Sequence, residues 1–212
     1  MDLTNIKLYR MTHIKNIPHI LRYGLTHKNS DFHDPNFVAI GDSSLIDYRS
    51  TKKVNIGGNV ITLGDFIPFY FGARMPMLYV IQHGGNFVPS VVSPRNIIYV
   101  VVSLKSILDD PGVIYYFTDG HATDVLTTFY DQNNIKELPS IIDWESVRTR
   151  QWSGDGIDTD VKRKKQAEFL VGKDISMEHV VGFGCYNNEV KDQLTSMGVD
   201  VSLIKVIPDS YY

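Results

Sequence analysis

The chain has 212 residues, of which 43% are hydrophobic and 21% are charged, a composition typical of a globular domain. Its 24 acidic residues outnumber its 21 basic residues, and the net charge of -3 argues against a protein that binds long duplex DNA over its whole surface. The single cysteine, Cys185, excludes an internal disulfide and favours a cytoplasmic location. No stretch is apolar enough to span a membrane, so we expect residues 1–212 to form a single domain without membrane contact.

Hydrophobic periodicity predicts the elements of the first half of the chain. In chain order these are a strand at residues 7–11, a helix at 14–24 that ends at Gly24, a polar loop at 26–37, a rim helix at 43–53 and an aromatic segment at 66–81. Gly57 and Gly58 mark a break between the last two.

The second half is predicted to alternate less regularly between strands and helices. We expect a strand buried on both faces at 97–102, a helix at 104–108, a strand at 113–117, a helix at 125–130, a strand or short helix at 167–173, a strand at 179–185, a helix at 189–197 and a strand at 201–206. A mixture without strict alternation favours an α+β fold over a doubly wound α/β sheet.

Three polar residues, His13, Arg49 and Glu168, lie beside apolar segments and are candidates for chemistry. His13 could equally cap a helix, and Arg49 could lie on a solvated face. Glu168 precedes a run of apolar residues and must find a partner if it is buried, either in catalysis or in an ion pair with a nearby lysine. The histidines are scattered rather than paired at ligand spacing, so no catalytic metal is predicted.

The aromatic segment at residues 66–81 has two interpretations. It could be a core strand, or its aromatic side chains, interleaved with Arg74, could stack unpaired bases while the arginine holds a phosphate. Arg148, Arg150 and the basic run at residues 162–165 add positive charge. If these groups fold to one side, they would form a track for single-stranded nucleic acid.

Several blocks of the sequence resemble the DarT family of DNA ADP-ribosyltransferase toxins, and together they span nearly the whole chain. The most specific are Pro68-Phe69-Tyr70-Phe71, running into Pro76-Met77-Leu78-Tyr79, and Gln166-Ala167-Glu168. Supporting blocks lie at residues 8–17, around Arg49, at 116–122 and at the terminal tyrosines 211–212.

The resemblance implies an α+β, ADP-ribosyltransferase-like fold with a central mixed β core and flanking helices. It also implies that the chain uses NAD, without a metal, to ADP-ribosylate a base in single-stranded DNA, and that it is a toxin with a DarG-like antitoxin as partner. Thymidine is favoured as the acceptor because the blocks at 68–71 and 117–121 follow the thymidine-modifying members. ADP-ribosylation of guanine, RNA or protein remains open, as does a non-catalytic module that binds single-stranded nucleic acid.

The resemblance also assigns roles to individual residues. Arg49 and Glu168 would be catalytic. The implied NAD-binding residues are Arg10, Met11, Thr12, His13, His19, Thr26 and Arg49, and residues 27–53 would cover the NAD. The implied DNA-binding residues are Tyr70, Arg74, Met77, Tyr79 and His121.

Overall fold

The computed structural model of the chain describes residues 2–85 and 88–212. Its strands are β1 (Lys7–His13), β2 (Lys53–Ile56), β3 (Asn59–Thr62), β4 (Ile67–Tyr70), β5 (Ile97–Ser103), β6 (Tyr115–Thr118), β7 (Phe129–Tyr130), β8 (Glu168–Val171), β9 (Val180–Cys185) and β10 (Ile204–Val206). Its α-helices are α1 (Ile17–Tyr23), α2 (Ser43–Thr51), α3 (Pro76–His83), α4 (Leu104–Leu108), α5 (Leu138–Ile141), α6 (Trp144–Arg148), α7 (Asp160–Lys165) and α8 (Asn188–Ser196). None of the helices in the described ranges is long and apolar enough to cross a lipid bilayer.

One mixed sheet organises the fold, with strand order β10-β9-β5-β1-β4-β8-β6-β7. The β9–β10 pair is parallel and the other pairs are antiparallel. Strands β2 and β3 form a separate hairpin whose turn is Gly57-Gly58, both with positive φ, as a tight two-residue turn requires. Helices flank this sheet, and the predicted α+β class is confirmed.

The sheet is nearly divided between β1 and β4. Strand β1 pairs with β5 along all seven of its residues, but with β4 the structure records one register pair, Tyr9 opposite Tyr70. Beyond that pair the two strands diverge, and residues from both line a cleft between them. The gap between the two strands therefore forms one of the cavities of the fold.

The hydrophobic core lies mainly on the face of the sheet that carries Leu8, Phe69 and Phe169, all fully buried. A smaller cluster around Tyr99, Leu78 and Tyr211 packs on another surface of the sheet. Strand β5 has six buried residues out of seven, which confirms the prediction of a strand covered on both faces. Burial on both faces explains its continuous run of β-branched residues.

Gly24 ends helix α1, as predicted. Its φ of 78° lies in the left-handed region, and a Cβ added there would stand 2.1 Å from the carbonyl oxygen of Ile175. The next residue, Leu25, exchanges backbone hydrogen bonds with Ile175. Gly24 therefore lets the start of the loop over the cleft pack directly against the segment that follows β8.

Two sequence predictions of elements are wrong. Residues 125–130 do not form a helix, since the side chains of Val125 and Leu126 are 94% and 72% exposed and residues 129–130 form β7. The backbone turns there because the carboxylates of Asp124 and Asp119 accept hydrogen bonds from Leu126 N and Thr128 N. Residues 201–206 are only half a strand, because a 3₁₀ turn at Val201–Leu203 precedes β10.

Candidate active site

The cleft between β1 and β4 has a volume of about 550 Å³, within the usual range for a small-molecule site. Strand β1 contributes Arg10 and Thr12 to its wall, and β4 contributes Ile67 and Pro68. Helix α1, helix α2 and the loop that joins them close the other sides. A second cavity of about 180 Å³ shares Arg10, Phe37 and Pro68 with the cleft and extends it towards α3.

Arg49 and Glu168 form a buried ion pair at the edge of the cleft. Nη1 of Arg49 donates to Oε1 of Glu168 at 3.1 Å, and Nη2 lies 2.9 Å from Oε2. The side chain of Glu168 is 1% exposed and that of Arg49 is 15% exposed. Glu168 begins β8 opposite Tyr70 of β4, while Arg49 comes from the last turn of α2, so the fold brings together residues 119 positions apart.

Arg49 and Glu168 each have hydrogen-bonding groups that their ion pair does not use. Oε1 of Glu168 also accepts from the backbone N–H of Ala122 at 3.0 Å. Nη2 of Arg49 and Oε2 of Glu168 are buried and have no well-aligned hydrogen bond within the described ranges. Besides their mutual contact at 2.9 Å, the second N–H of Nη2 and a lone pair of Oε2 remain available for a ligand.

The charges at the site are strongly coupled. Burial works to raise the pKa of Glu168, but Arg49, His121 and the Ala122 N–H outweigh it and hold that pKa below its ordinary value. Burial works against the charge of Arg49, but Glu168 keeps the pKa of Arg49 above its ordinary value. Glu168 is therefore a carboxylate and Arg49 a cation across the neutral pH range.

Arg10 is a second cation in the cleft. Its Nη1 donates to the carbonyl oxygen of Pro68 at 2.9 Å, a contact that spans the gap between β1 and β4. Burial and the neighbouring Arg49 lower the pKa of Arg10 to about 10, so it stays charged at neutral pH. Two guanidinium groups against one carboxylate give this part of the cleft a positive balance, which suits an anionic ligand.

The loop that covers the cleft is held at both ends. Asn16 is buried and bonds to Val38 through both its oxygen and its nitrogen, and its nitrogen also donates to Thr12 Oγ1. At the other end, Asp174 accepts from His27 N at 2.7 Å and from the hydroxyl of Ser30. Nε2 of His27 lies 2.7 Å from the carbonyl oxygen of Gly64. These bonds place residues 27–38 over the cleft.

The structure brings most of the predicted NAD-binding residues together. Those that line the cleft are Arg10, Thr12, His19, Thr26 and Arg49. Met11 lines the adjoining cavity instead. His13 lines neither cavity, because its Nδ1 accepts from Lys15 N at 3.1 Å and caps the turn at Ile14–Asn16. The capping interpretation of His13 is the one that the geometry supports.

The predicted DNA-binding residues fall into two groups. Tyr70 and Met77 line the adjoining cavity, and His121 is close enough to Glu168 and Arg49 for both to affect its pKa. Burial, the largest effect, lowers the pKa of His121, so its ring is neutral at pH 7. Arg74 and Tyr79 lie elsewhere, in a cluster of aromatic residues at the surface.

This aromatic cluster consists of Tyr79, His83, Trp152 and Tyr212. Tyr79 stacks on His83 with ring centroids 4.3 Å apart and meets Trp152 and Tyr212 edge-on. Nε1 of Trp152 donates to the hydroxyl of Tyr212 at 2.6 Å. The guanidinium of Arg74 lies 4.4 Å from the Tyr212 ring centroid, and Nζ of Lys162 lies 5.5 Å from that of Trp152. Aromatic faces and cations therefore alternate here.

The prediction that the basic run at residues 162–165 adds charge to a DNA track is wrong for two of its residues, Arg163 and Lys164. Arg163 pairs with Asp119 and Asp160, and Lys164 pairs with Asp143 and Asp160. Lys165 is buried and does not bond to Glu168, so the nearby-lysine interpretation of Glu168 is also wrong. Lys162 remains at the aromatic cluster.

Sequence reasoning missed several residues that build the site. Asn16 lies inside the block at residues 8–17, but its bond to Thr12 joins the end of β1 to the following 3₁₀ turn, and no helical or strand spacing predicts such a contact. Trp152 and Tyr212 gave no local signal, since their contact joins positions 60 residues apart. Among residues 2–85 and 88–212, no group of three or more His, Cys, Asp or Glu side chains could hold a metal ion.

Comparison with known proteins identifies the family. A family model described as "ssDNA thymidine ADP-ribosyltransferase, DarT" matches residues 9–212. The chain belongs to the DarT family. The resemblance seen in the sequence is thereby confirmed, and the description of the DarT family names thymidine rather than guanine, RNA or protein as its acceptor.

Individual DarT relatives cover most of the chain. It is 33% identical over 187 residues to the DNA ADP-ribosyl transferase of Escherichia coli O127:H6 (strain E2348/69 / EPEC), covering 88% of this chain and 83% of that protein. It is 29% identical over 206 residues to a DNA ADP-ribosyl transferase-DNA ADP-ribosyl glycohydrolase fusion protein of Thermosipho africanus (strain H17ap60334), covering 96% of this chain and 48% of the fusion.

Solved structures of one DarT relative share the fold. Thermus sp. 2.9 DarT in complex with ADP-ribosylated ssDNA matches with a TM-score of 0.83 and 27% identity, covering 98% of this chain and 96% of that chain. The complex of the same protein with NAD+ matches with a TM-score of 0.76 and 26% identity, covering 98% of both chains. The predicted ADP-ribosyltransferase-like fold is confirmed.

Proposed function

We propose that this chain transfers ADP-ribose from NAD to thymidine in single-stranded DNA, with Arg49 and Glu168 as its catalytic residues. The observation that carries this assignment is the buried Arg49–Glu168 pair at the edge of a 550 Å³ cleft. Membership of the DarT family supplies the reaction class. The Thermus sp. 2.9 complexes with NAD+ and with ADP-ribosylated ssDNA support both substrates.

NAD is assigned to the cleft between β1 and β4. Arg10 supplies positive charge for the pyrophosphate, which carries two negative charges. Thr12, His19 and Thr26 line the same wall and contribute polar contacts. The loop at residues 27–38 covers the bound molecule and excludes water, which strengthens every electrostatic interaction inside. Met11 is assigned to the adjoining cavity, and His13 supports the strand end.

Glu168 is assigned to the ribose next to nicotinamide. Departure of nicotinamide takes the electron pair of the glycosidic bond and leaves positive charge on the ribose carbon. The carboxylate of Glu168 stabilises that charge, and Oε2, which keeps a lone pair beside its contact with Arg49, accepts a hydrogen bond from a ribose hydroxyl. Because burial keeps water away and Ala122 N and Arg49 hold the carboxylate in place, it needs little reorganisation during the reaction.

Arg49 is assigned to the acceptor base as well as to Glu168. A base nitrogen that attacks the ribose carbon must lose its proton. The raised pKa of Arg49 makes its guanidinium a poor proton acceptor. We therefore assign Arg49 to polarise a carbonyl oxygen of the base through Nη2, which makes the base nitrogen more acidic. We assign His121, whose lowered pKa keeps it neutral and whose ring is near enough to Glu168 and Arg49 to feel their charges, to receive the proton.

The acceptor strand is assigned to the side of Tyr70 and His121. Tyr70 and Met77 border the adjoining cavity, where the acceptor base would enter. Arg74 and Tyr79 belong to the aromatic cluster, which suits the stacking of unpaired bases. Single-stranded DNA avoids the cost of extruding a base from a duplex.

The biological role follows the DarT family. We propose that the chain is a toxin, a cytoplasmic enzyme because its DNA and NAD substrates are found there, and that residues 1–212 work as a single domain. A DarG-like antitoxin that removes ADP-ribose would be its partner, as the Thermosipho africanus fusion of a transferase to a glycohydrolase suggests.

A direct assay tests this function. The protein is incubated with NAD and a thymidine-containing single strand, the matching duplex, a single-stranded RNA and a control protein, and each product is weighed by mass spectrometry. We expect an ADP-ribosyl mass increase on the single-stranded DNA alone, and none when thymidine is replaced throughout by cytidine. NAD binding without any transfer to DNA would contradict the proposal.

A further inference from the structure

A third cavity, of about 420 Å³, lies outside the cleft and is rich in positive charge. Five cationic side chains line it: Lys7, Arg74, Arg148, Arg150 and Lys165. One carboxylate, that of Asp209, lines it in the described part of the chain. Asp209 is exposed, and its Oδ2 is 3.7 Å from Arg150, so it neutralises little of this charge.

Two of these cations have donors that the protein does not use. Nζ of Lys165 donates to the carbonyl oxygens of Val147 at 2.9 Å and Thr149 at 2.8 Å, which leaves one of its three N–H groups free. Nε of Arg74 is buried and has no hydrogen-bond partner within the described residues. An unpaired buried donor is costly, so both groups favour an acceptor in the cavity.

The fold holds the cationic residues of this cavity in defined positions. Lys165 holds the carbonyl groups on either side of Arg148, so the chain that carries Arg148 and Arg150 is fixed to the cavity wall. Arg74 adopts a φ of 59°, which is rare for a residue other than glycine, and its N–H donates to the hydroxyl of Tyr99. Arg74 is therefore held in an unfavourable backbone conformation that puts its side chain at this position.

Different positions of the same two strands line this cavity and the NAD cleft. Along β1, Arg10 and Thr12 line the cleft, whereas Lys7 and Tyr9 line this cavity. Along β4, Ile67 and Pro68 line the cleft, whereas residues 71–74, which follow the strand, line this cavity. Tyr70, paired with both Tyr9 and Glu168, stands between the two.

We infer that this cavity binds a backbone phosphate of the DNA strand whose acceptor base reaches Glu168. The excess of positive charge in the cavity attracts the negative charge of a phosphodiester, and the two unused donors suit its acceptor oxygens. Arg74 lines the cavity and also stacks on Tyr212, so the phosphate site is continuous with the aromatic cluster. Bases and phosphates follow each other along a single strand, so one base could stack on the aromatic cluster while a neighbouring phosphate occupies this cavity. This inference rests on the proposed function.

A phosphate-by-phosphate experiment tests it. In a thymidine-containing single strand, each phosphodiester in turn is replaced by an uncharged methylphosphonate, and affinity is measured by fluorescence anisotropy. The proteins are the wild type, the double variant Arg148→Gln with Arg150→Gln, and the control Lys205→Gln. Arg148, Arg150 and Lys205 are all exposed, so the variants should fold. Hydrolysis of NAD without DNA reports on the NAD cleft independently.

We expect the wild type to lose affinity most at one phosphate position. The double variant should bind the unmodified strand more weakly than the wild type does. Its plot of log affinity against log salt concentration should be less steep by about 1 for each lost cation. Methylphosphonate at the sensitive position should not weaken its binding further. Lys205→Gln should behave as the wild type, and NAD hydrolysis should be equal in all three. If methylphosphonate weakens binding equally in the wild type and the double variant at every position, while the wild type still modifies the strand, this inference alone is overturned. If the wild type neither binds nor modifies the strand, the proposed function fails, and the inference with it.

Discussion

Glu168 combines two roles that its burial makes inseparable. Its carboxylate is assigned to the ribose, and it also neutralises Arg49 in the interior. Truncating one partner of such a pair leaves the other charge buried alone, which costs about 3–5 kcal/mol. With an alanine at position 168, a loss of activity could come from lost catalysis or from lost stability. A test of this residue therefore needs a replacement that keeps its shape.

Glu168→Gln is that replacement. We expect it to reduce DNA transfer and NAD hydrolysis together by at least about 100-fold, because both reactions need the same stabilisation of charge on the ribose. The unfolding free energy should fall by about 2 kcal/mol, since the amide keeps a hydrogen bond but not the charge. Steady-state kinetics and urea unfolding measure these effects, with the exposed Glu178→Gln as the control. Full NAD hydrolysis in Glu168→Gln would remove Glu168 from the ribose site.

The same variant has a predicted pH signature. The folded-state pKa of Glu168 is lowered, so its stabilising effect is fully present above the unfolded pKa of about 4.3. That contribution is lost as the pH falls from this value through the folded-state pKa. The stability difference between wild type and Glu168→Gln should therefore shrink on acidification below about pH 4.

Arg49→Ala separates the two halves of the reaction. If Arg49 acts on the acceptor base, the variant at saturating NAD should lose DNA transfer much more severely than it loses NAD hydrolysis. Nicotinamide release and the oligonucleotide mass shift are followed in the same tube. Because Arg49→Ala leaves the carboxylate of Glu168 buried without its partner, Arg49→Lys is measured beside it; it keeps the charge without the two-point contact and should show the same preferential loss of DNA transfer to a smaller extent. Equal losses in both reactions would confine Arg49 to the NAD side.

At the scale of elements, one buried amide holds the Val38 end of the loop over the cleft. Asn16 makes three hydrogen bonds, two of them to Val38. We expect Asn16→Ala to raise the KM for NAD by about tenfold with a small change in kcat, because the loop loses its fixed end while the catalytic pair is untouched. Asn29→Ala, in the same loop but exposed, is the matched control. A loss confined to kcat would contradict a covering role.

The aromatic cluster gives a second prediction at this scale. Trp152→Ala should weaken binding to single-stranded DNA by roughly tenfold, because stacking of one base on an aromatic side chain contributes about 1–3 kcal/mol. NAD hydrolysis should be unchanged. Trp152→Phe keeps a stacking face and loses the bond to Tyr212, so it should recover most of the affinity. Anisotropy titrations with single strand and duplex measure this, and equal weakening for duplex would argue against stacking.

Elements were predicted well where one segment carries the signal. Strand β5 and helix α4 follow from local runs of residues, and both were found. The helix predicted at residues 125–130 does not form, because Val125 and Leu126 are exposed at a turn that aspartate side chains hold in place. The charge of Arg163 and Lys164 was predicted wrongly because the carboxylates that pair with them, such as Asp119 and Asp143, are distant in sequence. No local pattern reveals a charge that is neutralised from elsewhere.

At the scale of the whole molecule, the same limit applies to the site. The pairing of Arg49 with Glu168 joins α2 to β8 across 119 residues, and only the family resemblance placed both residues in one site. The basic cavity is likewise assembled from several separate segments of the chain. Its positive charge was visible in the sequence, but the convergence of these cations was not.

If residues 1–212 act as a single domain, the chain should unfold in one cooperative calorimetric transition. NAD at about 100 times its dissociation constant should add about 2.7 kcal/mol of stability, which raises the Tm by roughly 5–10 °C for a chain of this size. ATP, another nucleotide with negative phosphates, serves as the control ligand and should shift the Tm much less. Two resolved transitions would contradict the single-domain interpretation.

The single register pair between β1 and β4 has a mechanical consequence. One half of the sheet, β10-β9-β5-β1, meets the other half, β4-β8-β6-β7, through Tyr9 and Tyr70. Arg10 adds one bond across the gap, to Pro68. The shared hydrophobic core joins the halves on one face, and a substrate lying in the cleft would bridge them where backbone pairing between β1 and β4 is missing. Amide protons of β1 and β4 should then exchange more slowly when NAD is bound, while those of β9, remote from the seam, should change little.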